Sequence, residues 1–264
     1  MTCRLDRDET SGVATLVLTN VAQRNAFSAQ LAVEFDGLLG AVERDPSNRA
    51  LILAAEGSAF CVGGDVALFA EQIERGRLVD RVATDVAAFN LLVHRLASMR
   101  VPVIAALHGA VAGGGVALAA ACDFRVATPD AFFVPGFIGI GLPPDTGSSW
   151  LLARLIGAGR ATDFLMRNRR LDAETALAWG LVTEVATDSR ARSDELAAEL
   201  AQRPPAALAE TKALIASAFA NTFAQQLDAE EAAVIRSLVR DEIAEGVLAF
   251  RQKRPAAFSN RSPR

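Results

Sequence analysis

Two glycine clusters, each set directly behind a short and wholly apolar run, constrain this chain more than any other feature. Ala50 to Ala54 leads through the loop Glu56 to Asp65, which contains Gly63-Gly64, and Val103 to Leu107 leads into His108-Gly109-Ala110-Val111-Ala112-Gly113-Gly114-Gly115. Five apolar residues bounded by turn formers fit a buried parallel strand better than a helix. Adjacent glycines then let the backbone approach a ligand where a side chain would block it. If a helix opens after each cluster, near Asp65 and at Val116, its first N–H groups lack intrahelical acceptors and are free to receive negative charge. Two such junctions can converge two N–H donors on one oxygen. A plain tight turn also accounts for a Gly-Gly pair taken alone. The second cluster is neither a P-loop nor a dinucleotide fingerprint, because Leu118 stands where the third glycine would be required. Nucleotide phosphate binding is therefore not expected.

The remaining pattern alternates. Val13 to Leu18 reads as a strand, Leu31 to Val42 as a helix with Ser28 as N-cap, Asp80 to Met99 as a second helix stopped before Pro102, Val116 to Ala121 as a short helix and Asp123 to Ala127 as a strand. Gly109 to Gly115 reads as a loop. Strand and helix in alternation predict an α/β layer architecture with crossover connections. Beyond Gly147 the periodicity is helical over Ser148 to Ile156, Ala161 to Arg167 and Asp172 to Trp179, with Gly157 and Gly180 as stops. From Pro204-Pro205 onward it is nearly all helix, with Ala206 to Ala220 and Leu227 to Phe250 amphipathic and suited to pack on the core or on another subunit.

With 51% hydrophobic residues in 264, the chain can bury a core without disulfides or metals. A net charge of −4 with scattered Lys and Arg argues against nucleic acid as a partner. Cys3, Cys61 and Cys122 show no C-x-x-C spacing, which favours a reducing compartment and a role as small buried apolar residues. Met1 to Thr10 lacks the apolar stretch of a signal peptide, and no apolar run suits a membrane span, so a cytoplasmic location is the expectation.

Taken together, Phe60-Cys61-x-Gly63-Gly64-Asp65, Gly109 with Gly113-Gly114-Gly115 and Cys122-Asp123, and Gly139-Ile140-Gly141-Leu142 with Asp145 resemble the crotonase (enoyl-CoA hydratase/isomerase) superfamily, over about Gln23 to Lys253. The resemblance implies a ββα spiral core over residues 1–200 and a C-terminal helical trimerisation region over 201–264, assembling as a homotrimer or a dimer of trimers. It implies a coenzyme A thioester as substrate, with no separate cofactor and no metal. The oxyanion hole would be the N–H groups of Gly64 and Gly114, each such donor being worth about 3 kcal/mol in a transition state. Coenzyme A contacts would come from Arg24, the Ala26 backbone and Asp65, and from Phe250 and Lys253 on the C-terminal helix, often of a neighbouring subunit. Arg24 and Lys253 could equally be solvated charges.

The resemblance also bears on the chemistry. Family hydratases use two glutamates, and their places here hold Ala117 and Gly136, which demotes hydration. Asp145 remains, in Gly141-Leu142-Pro143-Pro144-Asp145-Thr146-Gly147, and resembles the proton-shuttling acid of enoyl-CoA isomerases. A structural N-cap for a helix starting at Thr146 is the alternative for this carboxylate. Aromatic acyl-CoA dehalogenases of the family pair such an aspartate with tryptophan and histidine, where this chain has Phe137 and Asn90. A hydratase with other acid and base groups, a hydrolase and a non-catalytic CoA-ester binding or scaffold protein stay open as further alternatives.

Overall fold

Each apolar run becomes a strand covered on both faces. The computed structural model describes residues 1–258, so the last six positions of the expected 201–264 region lie outside the described residues. The chain enters through strands β1 (Cys3–Asp8) and β2 (Val13–Leu18) and helix α1 (Ala29–Arg44). Three strand-strand-helix turns follow. They are β3 (Ala50–Ala55) and β4 (Ala59–Cys61) with α2 (Val66–Glu74) and α3 (Leu78–Ala97), then β5 (Val103–Leu107) and β6 (Ala110–Ala112) with α4 (Gly114–Ala120), then β7 (Phe124–Ala127) and β8 (Phe132–Val134) with α5 (Ser148–Ile156). The chain continues through α6 (Ala158–Met166), β9 (Leu171–Asp172), α7 (Ala173–Trp179), β10 (Glu184–Val185) and α8 (Ser189–Ala201). It closes with α9 (Pro205–Ser217), α10 (Phe223–Leu238) and α11 (Asp241–Gln252). This is the expected α/β spiral of ββα turns.

The first strand of each turn joins a six-stranded sheet ordered β1-β2-β3-β5-β7-β10, and the second joins a four-stranded sheet ordered β4-β6-β8-β9. In the large sheet β2, β3, β5 and β7 run parallel. Successive residues point to opposite faces. Leu51 and Leu53 pack on the side of Phe35, Leu39 and Leu96, whereas Ile52 and Ala54 pack with Ala197 and Ala201 of α8. Two covered faces explain why these strands read as unbroken apolar runs rather than alternating ones.

The structure departs from the sequence expectations in five places, one of them the expected loop Glu56 to Asp65, within which Ala59–Cys61 forms β4. Residues Cys3–Asp8 form an antiparallel edge strand on β2, whose alternating charges suit one exposed face. Ala110–Ala112, expected as loop, is a three-residue strand pairing with both β4 and β8. Helix α8 escaped notice because the face it buries is Ser189, Ser193, Ala197 and Ala201, a stripe of small residues with little hydrophobic period. The single helix expected over Leu227 to Phe250 is broken at Val239-Arg240, where α11 restarts with Asp241 and Glu242 in its first turn, a charge placement favoured at a helix start.

Among the described residues no helix is long and apolar enough to cross a membrane. All three cysteines are buried and unpaired, and burial pushes the Cys61 and Cys122 thiols up to about 12, so they remain neutral packing groups.

Candidate active site

The site follows from the small sheet. Strands β4, β6 and β8 run parallel and side by side, so the segments that leave their carboxyl ends meet: Val62-Gly63-Gly64, Gly113-Gly114-Gly115 and Pro135-Gly136-Phe137. Gly63 has φ +78 and Gly113 φ +53, conformations that side chains other than glycine's adopt only with strain. The two loops touch. A methyl group placed on Gly63 would lie 2.8 Å from the Gly114 nitrogen, and one on Gly115 would lie 2.3 Å from the Cys61 carbonyl oxygen. Glycines more than fifty positions apart in sequence are thus packed backbone to backbone.

Neighbouring main-chain groups are spoken for. The Gly113 N–H donates to Val134 O at 3.0 Å and the Phe27 N–H donates to Gly63 O at 2.7 Å. Among the described residues the N–H groups of Gly64 and Gly114 have no protein acceptor, and both residues line one apolar chamber. Its walls include Phe27 and Phe89, stacked with centroids 3.8 Å apart, together with Phe69, Val86, Phe137 and Leu142.

Asp145 lines the same chamber. It is not a helix cap: α5 begins at Ser148, its N-cap position is Gly147, and no side chain caps it. Instead Asp145 Oδ1 accepts a hydrogen bond from the Thr146 hydroxyl at 2.7 Å. Thr146 is 4% exposed and sits at φ +50, a strained conformation for a β-branched residue. Its Oγ1 lies 3.1 Å from where a methyl on Gly114 would be. Thr146 therefore couples the position of the carboxylate to that of the glycine loop. No sequence pattern pointed to it.

Asp65 also has a structural part. Its side chain caps α2, with Oδ1 accepting from Ala67 N at 3.0 Å and Leu68 N at 3.1 Å, so those amides are not free for an anion. The residue still lines both the apolar chamber and an adjoining polar cavity that Gln23, Ala26, Ser28 and Arg81 also line. Arg24 is exposed, holds a left-handed conformation at φ 49, and lines neither cavity. The segment is pinned by Asn25, fully buried, whose Nδ2 donates to Glu56 O and Ala59 O. Phe250, 86% exposed, and Lys253 at the end of α11 line neither cavity within one chain.

The two hydratase positions carry no carboxylate. Ala117 is fully buried in α4, while Gly136 lines the chamber at φ +78 and its N–H donates to Asn168 Oδ1 at 2.8 Å. Asn90 is exposed and points to no cavity wall, and Phe137 is a wall residue. Among the described residues no group of three or more His, Cys, Asp or Glu is placed to hold a metal ion. One more carboxylate reaches the site without belonging to any motif. Asp85 on α3 lines the chamber, and the signal was available, since it interrupts the apolar stripe Val82, Val86, Phe89.

The architecture is that of an α/β enzyme whose site is built on the carboxyl ends of parallel strands. The chain belongs to the enoyl-CoA hydratase/isomerase family, whose model matches residues 8–261. Curated relatives include the 1,2-epoxyphenylacetyl-CoA isomerase of Escherichia coli, 35% identical over 253 residues covering 95% of this chain and 96% of that one. A 4-chlorobenzoyl coenzyme A dehalogenase of Arthrobacter is 33% identical over 251 residues, covering 93% and 90%. Among solved structures, an enoyl-CoA hydratase from Polaromonas superposes with a TM-score of 0.90 at 33% identity, covering 96% of this chain and 98% of that one.

Proposed function

We propose that the protein isomerises the double bond of an enoyl-CoA, or of a related ring-derived CoA thioester, with Asp145 as the proton shuttle. The observation that carries this reading is the shared chamber: a carboxylate held by Thr146 and lining the same walls as two unbonded amides, with no side-chain acid at Ala117 or Gly136. The Asp145 carboxylate takes a proton from C2 of a 3-enoyl thioester. The electron pair moves into the thioester carbonyl, and the resulting enolate oxygen is held by the Gly64 and Gly114 N–H groups. Collapse of the dienolate breaks the 3,4 double bond, forms the 2,3 double bond, and takes the proton back from Asp145 at C4. One base suffices, and no water is consumed. The apolar walls keep solvent from the enolate. The exposed Asn90 and the phenylalanine at 137 leave the aspartate without the partners a dehalogenase would need.

The polar cavity beside Ala26 and Asp65 suits the pantetheine arm, and the exposed Arg24, two residues before Ala26 in the chain, would meet the phosphates outside it. Ile215, Phe219, Phe223, Leu227, Val239 and Phe250, in the C-terminal helices and the turns between them, are large apolar residues left exposed, and exposed apolar surface of this kind suits a contact between copies. Its burial would carry Phe250 and Lys253 toward a neighbour's coenzyme. Sedimentation is expected to give three or six times the 27.9 kDa chain mass; a monomer would contradict the assembly. A cytoplasmic setting fits three buried free thiols.

Conversion of 3-hexenoyl-CoA to its 2-enoyl isomer, followed by the absorbance of the conjugated thioester, tests the reaction. In deuterated water the saturated analogue should exchange its C2 hydrogens. Absence of both over a panel of 3-enoyl and cyclic enoyl thioesters overturns the proposal, and net hydration would replace it.

A further inference from the structure

The chamber contains a further carboxylate, besides Asp145 and Asp65, that double-bond migration does not use. Asp85 stands on α3 among Val82, Val86 and Phe89, which line the chamber with it. Its side chain is 14% exposed. Oδ2 accepts from Arg81 Nε at 2.9 Å, one turn earlier on the helix, whereas Oδ1 is buried with no hydrogen-bond partner. The other acids of the site differ, since Asp65 Oδ1 accepts two amides and Asp145 Oδ1 accepts the Thr146 hydroxyl. A buried acceptor without a donor is costly and rare in folded proteins. The aliphatic and aromatic walls around it offer none.

A carboxylate paired with arginine can only accept, so Oδ1 is matched by a donor that a ligand in the chamber brings. An ammonium group is a poor match, because Arg81 already balances the charge and a second cation would be buried uncompensated. A hydroxyl meets the need at no cost in charge. We infer that Asp85 is a specificity-determining residue, its Oδ1 accepting a hydrogen bond from an alcohol or phenol hydroxyl on the acyl part of the thioester. The inference rests on the chamber being the acyl site, as proposed above, but not on the reaction that follows. It predicts that hydroxylated acyl-CoA esters are preferred over their deoxy parents, and that the reaction supplying the substrate leaves a hydroxyl on the acyl group.

Calorimetric binding of unreactive thioesters tests it: hexanoyl-CoA with its 4-, 5- and 6-hydroxy derivatives, and phenylacetyl-CoA with its three ring-hydroxylated derivatives. At least one hydroxylated ester is expected to bind the wild type about ten- to a hundredfold tighter than its parent, as befits a hydrogen bond to a charged acceptor. Asp85→Leu should erase that preference and bind the parents more tightly than the wild type does. Asp85→Asn, which keeps an acceptor and the shape, should retain part of it and serves if the leucine variant does not fold. Equal or weaker binding of every hydroxylated ester by the wild type, or a preference that survives in Asp85→Leu, overturns the inference. Loss of the isomerase reading would appear separately, as unchanged 3-hexenoyl-CoA in a protein that still discriminates these esters. Failure to bind any thioester would remove both.

Discussion

Gly114→Ala is expected to lower kcat for the double-bond shift by about a thousandfold while the protein still folds. The added methyl would meet Phe27 Cε2 at 2.4 Å and Thr146 Oγ1 at 3.1 Å. Phe27 cannot simply turn away, because its ring is stacked on Phe89. Moving Thr146 instead displaces the hydroxyl that holds Asp145. Either response shifts the donor, the base, or both, relative to one carbonyl. Loss of one oxyanion donor alone costs about a hundred- to a thousandfold, and a misplaced base adds to it. Overpacking should cost about 1 to 3 kcal/mol of stability, readable as a lower melting temperature by circular dichroism. Gly37 in α1 is the control: nothing lies within 4 Å of a methyl there, so Gly37→Ala should leave kcat unchanged and stabilise by about 0.5 to 1 kcal/mol. Equal activity of Gly114→Ala and wild type would mean that the loop does not carry the donor.

Asp145→Asn should lower kcat by about a hundred- to ten-thousandfold, with the dissociation constant of an unreactive acyl-CoA changed by no more than about threefold. The amide keeps the size of the carboxylate and an oxygen for the Thr146 hydroxyl, so what is removed is the ability to carry a proton. Because α5 is capped by no side chain, the substitution should leave the melting temperature nearly unchanged, unlike removal of an N-cap, which costs about 1 kcal/mol. A variant that keeps a tenth or more of wild-type kcat would assign proton transfer to another group. A variant that loses substrate binding instead would give Asp145 a recognition role.

Much of this arrangement was legible in the sequence, because the features that fix it are local. Buried parallel strands announce themselves as short apolar runs, and Ser28 caps α1 through Leu31 N as its position predicted. Gly63-Gly64 and Gly113-Gly114-Gly115 stand out because few other needs place so many glycines behind a strand. The elements that stayed hidden lack a local signature. Helix α8 packs Ser189, Ser193, Ala197 and Ala201 on the sheet, and small residues leave no hydrophobic period. The break between α10 and α11 lies where the apolar spacing continues on both sides, with only Asp241-Glu242 to mark a new start. Within the site, Asp145 was visible as a residue but its surroundings were not. Only the fold places it away from the helix cap and sets Thr146 at positive φ beside it, although Asp85, which shares the chamber, does show in the sequence as a charge within an apolar stripe. Such relations depend on contacts distant in sequence, and no spacing rule encodes them.

The pairing of two amides on one thioester oxygen can be observed without turnover. A saturated acyl-CoA labelled with carbon-13 at the thioester carbonyl, bound to the protein and followed by difference infrared spectroscopy, should show its carbonyl stretch at a lower frequency than in water. Convergent N–H donors polarise the bond more than solvent does. The shift should persist in Asp145→Asn and shrink in Gly114→Ala, where only the Gly64 donor stays in place. A bound carbonyl that absorbs at its frequency in water, or a shift unaffected by Gly114→Ala, would contradict the account.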